Sequence, residues 1–565
     1  MLAALLGQLT ACSPEPDAPS PALPERHART ATSRHAHITV ALIVDQLSLW
    51  EAIERVPKLP PGGGLSRLLR EADVAAELRY GYVETSTAIG HAALFTGLSP
   101  HETRVTSNEV LTPDGADVPI VRDANEHLVD ERGQSTRPGT SLAALPDDRE
   151  TFADALRRQR PDVTLACVSM KDRGAVFACG RHPDAVLWFD ATSDAFVTST
   201  AFASAFPPLG VGFGTPGIGA SQRRDAWTPL DPAWLMRVSG PAAPRTEEGD
   251  FEGLGRAFPH AFEGLTHPAK AMLATPMADT LLMDLALSVL RRLPTGHDAY
   301  LAISLSAHDY VSHVFTPGSK EAWDELLRLD RQLARLYDAL DAQYGAAGYG
   351  IVLSADHGAP GARDAASDAR CKAASPDRFE RACSPPVRLL VGDLSKRAEK
   401  IAERTLGKGH WILGTTEPIL RFTDDVGHAK AEDRARLVLA EIAELGAVPG
   451  IARVVDTQTA KDACPGYDDD SMDALLCRSL PPHGPSGLLI VPEPGAFFET
   501  GYVPGEGCNH GTPYLFDRTV PFLVRRPGVA RLHALPDPFS KQSRVDSRAY
   551  SRALAELMGI DPPGG

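Results

Sequence analysis

Two acid–histidine pairs, Asp309-x-x-x-His313 and Asp356-His357, each follow a short apolar run, 299–305 and 349–354. A third run, 38–44, ends on Asp45. Short apolar runs of this kind read as buried strands of a parallel sheet, and open α/β sheets place their ligand sites beyond the carboxyl ends of the strands. Carboxylates and imidazoles delivered to one edge form a donor set that suits Zn2+. Ca2+, which takes six to eight oxygens, fits less well. A single Asp or His in such a place can simply cap a helix or close a loop. Three strand-end acids in one chain favour a metal hydrolase.

A hydroxyl source stands nearby in sequence. Thr85-Ser86-Thr87-Ala-Ile-Gly90-His91 puts three hydroxyls after one expected strand, 75–84, and before an expected helix, 90–97. Free amide N–H groups and the positive end of the helix dipole suit both an alkoxide and a phosphoryl group. The ordinary role of Thr or Ser there is an N-cap.

The elements that must hold these residues alternate. Strands are expected at 38–44, 75–84, 163–169 and 185–190, with helices at 65–73, 90–97 and 151–159. Longer helices follow at 277–292 and 320–341, the second with Leu326, Leu329, Leu333, Leu336 and Leu340 on one face. Asp330, in that helix, reads as a solvated or capping residue. The core is expected to resume at 487–491 and 520–524. Alternation of this type predicts an α/β fold with a mostly parallel sheet between helices. Because candidate ligands span Asp45 to His510, one catalytic domain over 34–565 explains the chain better than a string of modules. Insertions are expected at 191–265, 361–385 and 458–484, and Asp468-Asp469-Asp470 in the last reads as a solvated loop.

Bulk properties exclude some partners. The 565 residues hold 57 Lys plus Arg against 73 Asp plus Glu, a net charge of −16, and no basic block. Nucleic acid and anionic membrane surfaces are poor partners for such a chain. The opening stretch ending Leu9-Thr-Ala-Cys12 resembles a bacterial lipoprotein signal with Cys12 as the lipid acceptor, and it is too short to span a bilayer. A Pro-rich run to residue 33 reads as a disordered tether. The expected location is therefore periplasm or cell surface, with membrane contact only through the lipid. Of the remaining cysteines, 167/179, 371/383 and 464/477 are closely spaced and would suit an oxidising compartment, leaving Cys508 over.

Five strings together resemble one family in order along the chain. Val44-Asp45-Gln46, Thr87-x-x-Gly-His91 with Thr-Gly-x-x-Pro at 96–100, Ser304-x-x-x-x-Asp309-Tyr-x-x-His313, Ser354-Ala-Asp356-His357-Gly358 and His510-Gly-Thr-Pro-Tyr514 are similar to the alkaline phosphatase superfamily, in particular its PafA-type phosphatases. The resemblance implies an alkaline phosphatase-like fold with cap insertions and two Zn2+ ions. Asp309, His313 and His510 would hold one ion. Asp45, Asp356, His357 and Thr87 would hold the other, about 4 Å away. Thr87 would be the nucleophile and would pass through a phosphothreonine. His91 would support the loop rather than bind zinc.

Ser169-Met-Lys171-Asp-Arg173 and Asn108 resemble the family's phosphate contacts, and Lys-x-Arg is the mark of its monoesterases. Read as an extended chain, residues 171–173 would send both cations to one side. The expected substrates are small phosphate monoesters, hydrolysed by a monomer. Alternatives are a phosphodiesterase or phosphonate hydrolase of the same superfamily, or a non-catalytic phosphate-binding surface protein. A sulfatase is disfavoured, because that chemistry needs a Cys or Ser where Thr87 stands.

Overall fold

Ile38–Val44 is apolar except for Thr39 and is buried along its whole length. A strand with no polar face needs cover on both sides and neighbours on both edges. It finds them in Ala299–Leu305 and Tyr349–Ser354, both parallel to it, with Val44 level with Leu305 and Ile43 level with Ser354. Thr164–Ser169 adds a fourth parallel strand, Ser169 level with Ser304. Four carboxyl ends therefore finish along one edge. Asp45 and the segments leading to Lys171, Asp309 and Asp356 begin there.

In this computed structural model, residues 36–240, 248–294, 296–360, 387–499, 506–528 and 544–564 are described. The four strands form the middle of a mixed eleven-stranded sheet. On one side Thr519–Arg525 runs antiparallel to Tyr349–Ser354 and Val74–Arg79 antiparallel to Thr519–Arg525; on the other Ala185–Asp190 continues the parallel run beside Thr164–Ser169, followed by the antiparallel Ala195–Ser199 and the Arg122–Asp130/Gly133–Thr140 hairpin. Helices cover both faces. Gly64–Glu71, Pro276–Arg292 and Lys320–Tyr344 pack together in one layer, and Thr87–Thr96, Phe152–Gln159, Asp172–Cys179 and Arg548–Met558 in the other. The α/β architecture expected from the alternating pattern is the one observed.

Several local expectations change. The strand expected at 75–84 ends at Arg79. The helix expected at 90–97 begins at Thr87, because the preceding residue, Ser86, takes the extended N-cap conformation. The extended chain stops at Lys171, the N-cap of a helix that starts at Asp172, so Arg173 is helical. Asp172 is an acid in the first turn, where the helix dipole favours it. Gly487–Pro492 does not rejoin the main sheet. It belongs to a separate four-stranded sheet with Ile412–Thr416, Ile419–Phe422 and Ile451–Asp456, covered by the helices Val391–Leu406 and Ala431–Leu445 around a core of its own. The 191–265 insertion supplies one strand of the main sheet, Ala195–Ser199.

Asp330 is buried and caps, since Leu65 N donates to its Oδ1 at 2.7 Å and closes the start of the Gly64–Glu71 helix. Asp470 is not a free loop acid, because Arg79 and Arg518 each reach it at 2.7 Å. Disulfides join Cys167 to Cys179 and Cys464 to Cys477, and Cys508 is free. Cys12, the tether and the 371/383 pair lie outside the described residues. Among the described residues, no helix is long and apolar enough to cross a membrane.

Candidate active site

The site forms where the parallel strands end. Thr87 opens the Thr87–Thr96 helix, and Ser86, in the N-cap position, makes no capping hydrogen bond with its side chain. The N-cap role open to these hydroxyls is therefore not taken up by Ser86. Thr87 Oγ1 instead accepts from Lys171 Nζ at 3.2 Å. Lys171 also lies 2.6 Å from Asp45 Oδ2 and 2.6 Å from Asp309 Oδ2, and its ammonium stands 5.0 Å from the Tyr310 ring centre.

Three imidazoles join these carboxylates. His313 Nε2 is 3.1 Å and His510 Nε2 3.6 Å from Asp309 Oδ1. His357 Nε2 is 3.4 Å from Asp45 Oδ1 and 3.7 Å from Asp356 Oδ2. The His357 and His510 rings stack with centres 3.7 Å apart. Each ring has its Nδ1 against a backbone carbonyl: His313 on Cys508 at 2.8 Å, His510 on Thr85 at 2.7 Å, His357 on Gly358 at 3.1 Å. A proton held on Nδ1 by a carbonyl leaves Nε2 with its lone pair toward the carboxylates, the tautomer a metal requires.

Electrostatics reflect the crowding. Burial, then Asp309 and Asp356, push the Asp45 carboxyl up. Burial alone would lower the Lys171 ammonium, but Asp309 and Asp45 outweigh it and raise it. His357 is pushed to about 9 against burial by Asp356 and Asp45, whereas burial, His357 and His313 drive His510 well down. Asp45 Oδ1, Asp356 Oδ2 and His357 Nε2 are buried without a directed hydrogen bond. Buried acceptors and lone pairs left without donors are what a cation satisfies. Two groups have atoms close enough to share an ion: Asp309, His313 and His510, and Asp45, Asp309 and His357.

Asn108 reaches the same helix start. Its Oδ1 accepts from Ala88 N at 2.9 Å, leaving its amide nitrogen as the donor. Arg173, second in its helix, shares Asp45 and Tyr310 as electrostatic neighbours with Lys171, and its Nε is buried without a partner. His308 turns away to Glu325 at 2.6 Å. His91 bridges Thr87 O and Ser304 Oγ, each at 2.9 Å, and lies 3.3 Å from Asp356 Oδ2.

Two glycines and Tyr310 went unread in the sequence as parts of the site. A Cβ on Gly90 would stand 2.1 Å from Asp356 O, so only glycine lets the Thr87 helix lie against that strand end. Gly174 likewise approaches Ser169 Oγ and Ser304 Oγ, where a Cβ would come within 2.7 and 2.9 Å. Neither carried that meaning in sequence, since Gly90 stood at the start of the helix expected at 90–97 and no helix was expected around Gly174. Asn509 was also missed. It precedes His510 and is gripped by Glu417 of the smaller sheet at 3.2 Å.

A strand-end site of this kind on a mixed α/β sheet is the arrangement of the alkaline phosphatase superfamily. Residues 39–369 match the type I phosphodiesterase / nucleotide pyrophosphatase family, and the chain belongs to it. The chain is 29% identical to alkaline phosphatase PhoV of Synechococcus elongatus over 57% of its own length and 59% of that protein's. It is 29% identical to alkaline phosphatase PafA of Elizabethkingia meningoseptica over 57% and 60%. A protein of Myroides odoratus named calcium-transporting ATPase is 25% identical over 94% and 92%. The solved wild-type structure of alkaline phosphatase PafA has the same fold, with a TM-score of 0.76 at 22% identity over 94% of this chain and 97% of that one.

Proposed function

We propose that this protein is a metal-dependent alkaline phosphatase that hydrolyses phosphate monoesters through Thr87. The observation that carries the reading is the position of Thr87 Oγ1, 3.2 Å from Lys171 Nζ, at a helix start beside the buried Asp/His groups. Asp309, His313 and His510 would hold one Zn2+, and Asp45, Asp356, His357 and Thr87 a second. Bound there, the two ions would supply Lewis acidity to the phosphoryl oxygens and acidify the Thr87 hydroxyl.

The chain's own groups do the rest. Thr87 Oγ attacks phosphorus as the bond to the leaving oxygen breaks; the Thr87 hydroxyl proton passes to solvent, and the departing alkoxide takes a proton from water, so no net proton is gained or lost. Water then cleaves the phosphothreonine, releasing inorganic phosphate and restoring the hydroxyl. Lys171, Arg173 and the Asn108 amide donate to phosphoryl oxygens. A monoester carries one more negative charge than a diester at those oxygens, so two cations there favour the monoester.

The family's description as phosphodiesterases supports a second reading, diester or phosphonate hydrolysis. Burial of Lys171 beside Thr87 weighs against it, since a cation at the nucleophile is best matched by the more highly charged ester. The test is a panel of aryl phosphate, its methyl diester, aryl sulfate and ATP on zinc-loaded protein. ATP belongs there because its terminal phosphoryl transfer is the same chemistry. We expect the aryl phosphate to give the highest kcat/KM, and chelation to abolish it. A preference for the diester would replace the first reading by the second.

Residues 34–565 would act as one catalytic domain, in an exported protein tethered through Cys12. The lipobox-like Leu9-Thr-Ala-Cys12 supports the tether, and Cys12→Ser should move the enzyme from the membrane to the soluble fraction. An unmodified Cys12 in natively expressed protein would refute it.

A further inference from the structure

Gln46 follows Asp45 directly, is 1% exposed, and has φ 66°. Left-handed conformations at residues other than glycine persist only where the surroundings impose them, and they gather at functional sites. A glycine would hold the same backbone without strain. What glycine lacks is the side chain, and here the side chain has a specific target: Gln46 Nε2 donates to Asp309 Oδ1 at 3.0 Å. Its backbone N–H donates to Asp356 Oδ1 at 3.2 Å. Asp309 and Asp356 follow the strands on opposite sides of Ile38–Val44, so one residue ties three strand ends together. Gln46 Oε1 is buried without a hydrogen-bond partner, so the side chain acts on its surroundings through Nε2.

The oxygen that Gln46 holds matters. Asp309 Oδ1 is the one facing His313 at 3.1 Å and His510 at 3.6 Å, while Oδ2 faces Lys171 at 2.6 Å. Rotation of this carboxylate would exchange the two sides. We propose that Gln46 is a positioning residue that commits Asp309 Oδ1 to the His313/His510 group and Oδ2 to the Thr87 side, fixing the spacing of the two ligand groups. This rests on the two-metal reading given above. Partners that orient a metal ligand typically contribute ten- to a hundredfold in affinity.

The test uses full-length protein stripped of metal, as wild type, Gln46→Gly and Gln46→Asn. Both replacements accept the left-handed backbone, and Asn, one methylene shorter, falls short of Asp309. Zinc affinity is measured by competition with a chromophoric chelator, and ligand geometry by the visible spectrum of the Co2+ form. Wild type should bind two ions. Both variants should lose roughly ten- to a hundredfold in affinity at one site and change the cobalt spectrum there. The metal-free thermal midpoint of Gln46→Gly should be no lower than that of wild type. Two sites of unchanged affinity and spectrum in both variants would overturn the proposal. So would a lower metal-free midpoint in both, which would mark a general packing role. A wild type that takes up no metal would instead overturn the two-metal reading itself, and the proposal with it.

Discussion

The two largest sheets among the described residues are built from similar apolar strands and end very differently. In the main sheet, four adjacent parallel strands are buried almost throughout and finish on Asp45 or on segments bearing Lys171, Asp309 and Asp356. The antiparallel four-stranded sheet buries a core of its own, and the turn between two of its strands carries Glu417, which grips Asn509. Its largest electrostatic oddity is Glu441, a buried carboxylate with no hydrogen-bond partner for either oxygen. Parallel strands align their carboxyl ends, so they can bring charged groups from distant parts of the chain to one edge, where those groups satisfy one another or a cation. Antiparallel strands alternate their ends and gather nothing comparable. Charge at the main edge should therefore serve activity, and charge in the smaller core should simply burden stability.

The largest effect expected from that difference is at Thr87. Thr87→Ala should lower kcat for an aryl phosphate by on the order of 10⁴-fold or more, with an unchanged thermal midpoint. Next, Lys171→Ala with Arg173→Ala should lower kcat/KM for the monoester by about a hundredfold or more, and for the matching diester far less. Equal losses on both substrates would reduce the pair to a structural role. Gly90→Ala should cost about 1–3 kcal/mol of stability and disturb activity as well, because its Cβ meets the backbone of Asp356. Retention of full stability would mean that the helix and the strand end can separate freely.

Glu441 gives the converse, an effect on stability and none on activity. Burial, then Glu444, raises its carboxyl from 4.5 to about 8. Below pH 4.5 the side chain is neutral in both folded and unfolded chains. Between pH 4.5 and about 8 the unfolded chain ionises first, so stability falls as pH rises through that window. Glu441→Gln should therefore stabilise the protein at pH 8 by on the order of 1–3 kcal/mol, with little effect at pH 4 and none on kcat. Denaturant melts at the two pH values check it. A loss of activity in this variant would show that the smaller sheet is coupled to the site.

The α/β fold was legible because the buried parallel strands are short apolar runs bounded by acids, and Asp45, Asp309 and Asp356 stood at their ends. Other features had no local signature. Gly487–Pro492 is as apolar as a main-sheet strand, and nothing in its residues tells which sheet will take it. Lys171 and Arg173 were matched as a pair, yet the extended backbone inferred through both of them stops at Lys171, because Asp172 starts a helix. Gln46 gives no sign in sequence of its left-handed backbone, and its partners Asp309 and Asp356 lie hundreds of residues away. Gly90 stood in the Thr87-x-x-Gly-His91 string, but the close approach to Asp356 that requires it is visible only in the fold.

The most direct test of the account is to quench zinc-loaded protein in acid during turnover of an aryl phosphate and locate the bound phosphoryl group by peptide mass spectrometry. Phosphothreonine is expected at Thr87, lost in Thr87→Ala together with turnover. A phosphoryl group on Thr85 or Ser86, or full turnover by Thr87→Ala, would contradict it.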